Sequence, residues 1–296
     1  MTRIVSFLPA ATEIAYALGA GDEIVGRSHE CDYPADALRL PIVSKPALAI
    51  EEMNQGEIDA AVSSQLASGE SLYRVDEILL RDLAPDVVFT QDLCQVCAPS
   101  GTELTRALKE LPSKPEVLWL TPRTIEEIEQ NILDIGNATG RLLEAENLID
   151  ENRERINIVK EAVARAPVRR VAFLEWTDPL FSPGHWVPEM ISIAGGIDPL
   201  GHRGGDSQRI SWESVAMGNP EIVVVAPCGY RLAQSVDAAA DVAGRIPGAR
   251  VVAVDANAYF ARPGPRVAEG IELLAHLFHP QYFEWPHNLR PWKEVS

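Results

Sequence analysis

Short, strongly apolar runs rich in β-branched residues alternate along the chain with stretches of helical periodicity, and the whole alternation occurs twice. In the first half RIVSFL, EIVGRS, PDVVFTQ and EVLWLT are interleaved with amphipathic segments such as TEIAYALGA and GTELTRALKEL. Runs this apolar do not leave one face in water, so they read as strands of a parallel sheet covered by helices. After residue 167 the pattern restarts with RRVAFLEW, EMISIAGGI, EIVVVAP and RVVAVDA, and it reaches a last helical stretch, VAEGIELLAHLFHP. A chain of 296 residues with 46% hydrophobic content is long enough to bury two such cores.

The halves are joined by a segment that is helical by every local sign. Thr124 with Glu127 reads as a capping box, Ile125, Ile128, Ile132 and Ile135 keep helical spacing, and GNATG at 136–140 breaks the pattern. A second helix is predicted from Arg141 to Ala166, stopped by Pro167, with a length of about 37 Å. The expected organisation is an N-terminal α/β lobe over 1–140, a linking helix over 141–166 and a C-terminal α/β lobe over 167–296. The aromatic, proline-rich end FEWPHNLRPWKEVS is expected to pack back over a lobe.

An internal repeat accompanies this duplication. VDEILLRDLAPDVVFTQ in the first half resembles ISWESVAMGNPEIVVVAP in the second: a Glu, a short helix, a Pro followed by an acid, then a buried strand. Glu77 and Glu213 lie at nearly matching places, one residue out of register relative to Pro85 and Pro220. A carboxylate at the start of a helix suits its dipole, which accounts for either Glu but not for the pair.

Several function classes drop out. The net charge of −17, without clustered Lys and Arg, argues against a nucleic-acid partner. No apolar run is long enough to span a bilayer, so membrane insertion is not expected. Near the start, Glu13 and Pro9 read as a strand-turn-helix opening rather than a secretory signal, so the chain as written reads as cytoplasmic, or as periplasmic or extracellular with a leader removed. No Gly-x-Ser-x-Gly, Walker loop, HExxH or dinucleotide glycine fingerprint is present, and a non-catalytic role is expected.

The chemistry-bearing residues fall on loops that follow strands, where open α/β sheets place ligands. After PDVVFTQ come Gln91, Asp92, Cys94 and Cys97; after EIVGRS come His29 and Cys31. A Cys-x-x-Cys pair can be a redox couple, half a zinc site or two small residues touching a ligand. His29, Cys31, Cys94 and Cys97 together are candidate metal ligands of soft or borderline type, and equally candidate packing residues. In the second half the loop LEWTDPLFSPGHWVPEM carries Trp176, Phe181, His185 and Trp186, rings that suit a flat apolar ligand. NAYFARPGPR adds Tyr259, Phe260 and Arg262, the last able to hold a carboxylate or phosphate.

In their order along the chain, RIVSFLPAATEIAYALGAGDEIVG, CDYP, LAPDVVF, the long helical segment, ISWESVAMGNPEIVVV and PGPR resemble the substrate-binding proteins of ABC importers whose two lobes are joined by one helix, and among them the cobalamin-binding proteins. The resemblance covers nearly the full chain. It implies two Rossmann-like α/β lobes with a ligand cleft between them, cobalamin or a related corrinoid as ligand, no obligatory cofactor, and an ABC permease as partner. It also implies that Glu77 and Glu213 dock onto arginines of that permease. Where the family pattern leads one to expect a Trp after PDVVF, this chain has Gln91. The thiols and imidazole of SHEC and CQVC could serve a corrinoid's cobalt as axial ligands. Two other readings fit the same fold: a metal, haem or iron-siderophore binding protein using the His/Cys cluster, and a thiol-dependent cytoplasmic enzyme or factor.

Overall fold

The computed structural model describes residues 2–50, 53–68, 70–91 and 102–295. The chain divides into two compact units, Met1–Pro122 with Glu126–Ile149, and Arg123–Ile125 with Asp150–Ser296. In chain order the first unit contains β1 (Ile4–Ser6), α1 (Pro9–Ala17), β2 (Ile24–Ser28), β3 (Ile42–Pro46), α2 (Gln55–Ala67), β4 (Tyr73–Val75), α3 (Glu77–Leu83), β5 (Val87–Thr90), α4 (Thr102–Lys109) and β6 (Glu116–Trp119). Helices α5 (Ile125–Ala138) and α6 (Leu142–Val163) follow, and the boundary between the units falls inside α6. The second unit continues with β7 (Arg169–Leu174), β8 (Trp176–Thr177), β9 (Leu180–Phe181), α7 (Val187–Ile193), β10 (Gly196–Ile197), α8 (Trp212–Met217), β11 (Ile222–Val225), α9 (Leu232–Val242), β12 (Arg250–Val254), α10 (Ala256–Tyr259), α11 (Val267–Phe278) and β13 (Trp292–Val295).

Each unit is built on one sheet. The first runs β4-β3-β2-β1-β5-β6, parallel except for the antiparallel β3–β4 edge. The second runs β10-β7-β11-β12-β13, parallel except for β13, so the aromatic tail does more than lie over a lobe: it adds an antiparallel edge strand beside β12. The apolar runs are explained by two-sided burial. In β7, Ala172 and Leu174 enter one core while Val171 and Phe173 are equally buried on the other face. Burial of Val171, Phe173 and Leu174 contributes roughly 1.5–3 kcal/mol of transfer free energy for each side chain. Along α6, Ala145, Ile149, Ile156, Val159 and Val163 keep helical spacing and are buried. Gly136 is needed where α5 turns into α6, because a Cβ there would lie 2.6 Å from the Ala145 Cβ and 3.0 Å from the Arg141 carbonyl.

The internal repeat is a structural device used once in each unit. Asp76 caps α3 by accepting from the Leu79 N–H at 2.9 Å, and Ser211 caps α8 by accepting from Ser214 N–H at 3.2 Å. Both helices end on a left-handed residue before a proline, Ala84 (φ 42°) and Asn219 (φ 45°). The acid after each proline then grips the start of a strand. The Arg3 N–H donates to Asp86 Oδ2 at 2.9 Å and Arg170 N–H to Glu221 Oε1 at 3.3 Å. The Arg3 and Arg170 Nε groups donate to the carbonyls of Leu83 and Asn219, each at 2.7 Å. Those bonds fix each short helix against the edge where its sheet begins.

Candidate functional site

In the second unit the chain leaves β7 at Glu175 and at once forms the β8–β9 hairpin, where Trp176 pairs with Phe181. Cross-strand partners share a face, so the two rings are presented side by side. Trp176 also meets Tyr230, centroids 5.4 Å apart, and the Arg209 guanidinium lies 5.6 Å over the Phe181 ring. Trp176, Phe181 and Tyr230 are each only partly buried. Tyr230 follows β11, the neighbour of β7, so the rings gather at the carboxyl ends of adjacent parallel strands. Cys228, in the same loop, carries an exposed thiol.

Glu175 fastens this rim together. Its N–H donates to the Phe181 carbonyl (3.1 Å) and its carbonyl accepts from Cys228 N–H (3.0 Å). Its Oε1 accepts from Gly184 N–H at 3.1 Å, and its Oε2 accepts from the Ser207 hydroxyl. Gly184 has to be glycine, since a Cβ there would lie 2.8 Å from both the Asp206 carbonyl carbon and the Gly205 carbonyl oxygen. Burial pushes the Glu175 carboxyl up to about 7 despite those two bonds, and the nearby Asp198 carboxylate adds to the rise. Asp198, itself raised to about 6 by burial, accepts from Phe173 N–H (2.8 Å) and Leu200 N–H (2.9 Å).

His185 stands next to this hub with a left-handed backbone (φ 52°). Its Nε2 lies 3.3 Å from Asp206, which also pairs with Arg123 at 3.0 Å. Burial lowers the imidazole's pKa more than Asp206 raises it, so the neutral ring is favoured. Trp186 and Phe260 are placed differently from the rim expected of them. They are 7% and 3% exposed; the Trp186 Nε1–H donates to the Phe260 carbonyl at 3.1 Å, and Phe260 packs edge-on against Phe173. Both spend their surface on the core beneath the loop. Arg262 is likewise buried, while the partly buried Tyr259 meets Trp285 at 6.4 Å.

In the first unit His29 is half-buried, its Nδ1 3.2 Å from the Ser44 carbonyl and its ring 5.9 Å from Tyr73. Cys31 is fully buried, with its Sγ 3.9 Å from the Ser6 carbonyl, which makes it a core residue rather than a rim ligand. Gln91 is buried at the end of β5; Asp92, Cys94 and Cys97 lie outside the described residues. Among the described residues no group of three or more His, Cys, Asp or Glu could hold a metal ion, and no helix is long and apolar enough to cross a membrane.

The two candidate docking carboxylates differ in setting. Counted from the caps and prolines, Glu77 corresponds to Trp212, and Ile78 to Glu213, so the one-residue offset is a rotation of about 100° around the helix. Trp212 explains it, because its ring packs on the second core and under the Arg245 guanidinium at 5.0 Å, leaving the next position for the acid. Glu213 is fully exposed and its pKa is lowered by the Ser211 hydrogen bond, whereas Glu77 is paired with Arg106 at 2.9 Å.

Glu175, Ser207, Arg209, Cys228 and Tyr230 were not singled out from the sequence. The available signal was positional: Glu175 and Cys228 each follow an apolar strand run, the same criterion that pointed to His29 and Trp176. Ser207 and Arg209 sit in a loop with no periodicity, which long-range contacts such as the Phe181–Arg209 bridge and the Ser207 hydroxyl on Glu175 bring to the rim.

Comparison with known proteins adds the lineage. A vitamin B12-binding protein of Yersinia pestis (strain Pestoides F) is 25% identical over 226 residues, covering 75% of this chain and 69% of that protein. The fold is shared with the periplasmic vitamin B12 binding protein BtuF of Vibrio cholerae (TM-score 0.63, 21% identity, 94% and 96% of the two chains). It is shared also with a periplasmic heme binding protein from Pseudomonas aeruginosa (TM-score 0.70, 20% identity, 100% and 98%). Residues 4–245 match the family model described as periplasmic binding protein, and with the duplicated α/β units behind that match, this chain belongs to the periplasmic binding protein family.

Proposed function

We propose that the protein is the substrate-binding component of an ABC importer and carries a corrinoid, cobalamin or a close relative, without catalysing a reaction on it. The observation that carries this reading is the partly exposed aromatic rim of Trp176, Phe181 and Tyr230 at the carboxyl ends of β7 and β11. Rings held in fixed orientation offer a flat, rigid ligand large contact area at little entropic cost. The Yersinia relative, named for binding vitamin B12, supports the ligand class. His185, next to that rim, is a candidate polar contact, and the corrinoid is cargo rather than a resident cofactor. In this reading the protein works on the outer side of the cytoplasmic membrane and hands its cargo to a permease. Glu213, exposed and first-turn, offers the stronger docking charge, and Glu77 a weaker one because Arg106 already neutralises it.

The test is retention of colour. Purified protein incubated with hydroxocobalamin and freed of excess is expected to keep the corrinoid absorbance, and Trp176→Ala to weaken binding about tenfold, the loss of roughly 1.4 kcal/mol of stacking and burial. Failure to retain hydroxocobalamin overturns the corrinoid assignment. If haem is retained instead, the cargo is a different metallo-macrocycle on the same rim.

A further inference from the structure

Arg209 is held on the aromatic rim by the backbone as well as by its side chain. It forms an antiparallel bridge with Phe181, and the bridge is flanked by the Ser182 N–H donating to the Gln208 carbonyl at 2.9 Å and the Ile210 N–H donating to the Leu180 carbonyl at 3.0 Å. Those flanking bonds make Phe181 and Arg209 a non-hydrogen-bonded pair, the kind whose side chains approach most closely. Trp176 is the partner of Phe181 in β8, so Trp176, Phe181 and Arg209 form one cross-strand row on one face. Tyr230 adds a third ring 5.4 Å from Trp176. The rings are partly buried and Arg209 is exposed, with its guanidinium 5.6 Å over the Phe181 ring.

A row of this kind reads a ligand in two ways. The rings offer contact area to a flat apolar body, and the guanidinium, always charged, offers a planar fork of N–H donors that matches a carboxylate or a phosphate. Covering that cation with a neutral apolar edge costs desolvation, which an oxyanion offsets. Because the bridge fixes where the side chain starts and the Phe181 ring lies under its end, little ordering is left for binding to impose. With a net charge of −17 the chain as a whole repels anions, so an oxyanion on the ligand has to be met by a local cation. We propose that Arg209 selects ligands whose flat body carries an oxyanion at its edge, and holds that group by charge-assisted hydrogen bonds while Trp176 and Phe181 hold the body. This rests on the reading of the rim as the ligand site and names the group the ligand presents there. On a metallo-macrocycle the same chemistry has two sources, the phosphodiester of a cobalamin and the propionates of haem.

Isothermal titration of the wild type and of Arg209→Gln with cyanocobalamin and with dicyanocobinamide, which keeps the corrin and lacks the phosphodiester, separates the anion from the ring. The wild type is expected to bind cyanocobalamin more tightly than dicyanocobinamide. Arg209→Gln is expected to weaken cyanocobalamin about five- to tenfold and to leave dicyanocobinamide within about twofold of the wild type. Equal loss for both ligands, or loss for neither, overturns this proposal and leaves the corrinoid reading standing. If neither corrinoid binds, the corrinoid reading falls and hemin takes their place in the same titration. A loss of about five- to tenfold in Arg209→Gln then upholds the oxyanion contact with a carboxylate as its source, whereas an unchanged Kd, or no binding of hemin, overturns the contact as well. Arg209→Met, which keeps an apolar stem over Phe181, gives the same readings where Arg209→Gln does not fold.

Discussion

At the amino-terminal ends of their strands the two units use the same parts. Arg3 with Asp86 and Arg170 with Glu221 clamp the start of β1 and β7 through the same backbone and side-chain bonds, and each clamp follows a capped helix, a left-handed residue and a proline. At the carboxyl ends the units diverge. After β2 the first unit buries Cys31 and half-buries His29, whereas after β7 the second builds a hairpin that turns Trp176 and Phe181 toward one face. The frame can serve both units because its hydrogen bonds hold any strand of this kind, whereas the loops at the other end carry no sheet pairing that would make them alike.

The comparison is most strongly tested in the cores. Phe89 in β5 and Phe173 in β7 are both fully buried, and replacing either by Ala is expected to cost about 3–5 kcal/mol in denaturant unfolding. Only Phe173→Ala should also weaken ligand retention, since Phe173 lies in β7 two residues before Glu175, where the hairpin that carries Trp176 and Phe181 begins. Equal loss of ligand in both variants would erase the distinction between frame and rim.

The caps test whether the repeat is equivalent in energy as well as geometry. Asp76→Ala and Ser211→Ala are each expected to cost about 1 kcal/mol, because each removes the acceptor of a first-turn N–H. Thermal melts showing one cap neutral would mean the short helix in that unit is held by its proline and clamp alone.

The smallest effect separates the left-handed residues. Ala84→Gly relieves a Cβ clash worth about 1–2 kcal/mol against roughly 0.5–1 kcal/mol of added unfolded-state entropy, so a gain of up to about 1.5 kcal/mol is expected. Asn tolerates this conformation, and Asn219→Gly should change stability by less than about 0.5 kcal/mol. A larger gain at Asn219 in the same melts would mean that its side chain is strained there.

How far the sequence could be read depended on whether a feature is local. The β-branched runs announced buried strands because two-sided burial demands apolar residues at every position, and Val171 to Leu174 show that demand met. The stop at GNATG and the spacing of Ile128, Ile132 and Ile135 marked α5 for the same reason. Trp186 and Phe260 show where such reading stops. An aromatic residue in a loop after a strand is equally suited to cover a core or a ligand, and the choice is made by whether Trp186 Nε1–H finds a carbonyl inside the fold.

The amino-acid sequence by itself determined the alternation of strands and helices, its duplication and the family resemblance, because periodicity, caps and prolines act over a few neighbouring residues. Only the tertiary structure decided that Glu175, Ser207 and Cys228 meet at one rim, that Cys31 is sealed inside, and that Trp212 packs on the second core at the position Glu77 holds in the first unit. Those outcomes depend on contacts between residues far apart in the chain, where burial and hydrogen bonding, rather than residue type, set the role of each side chain.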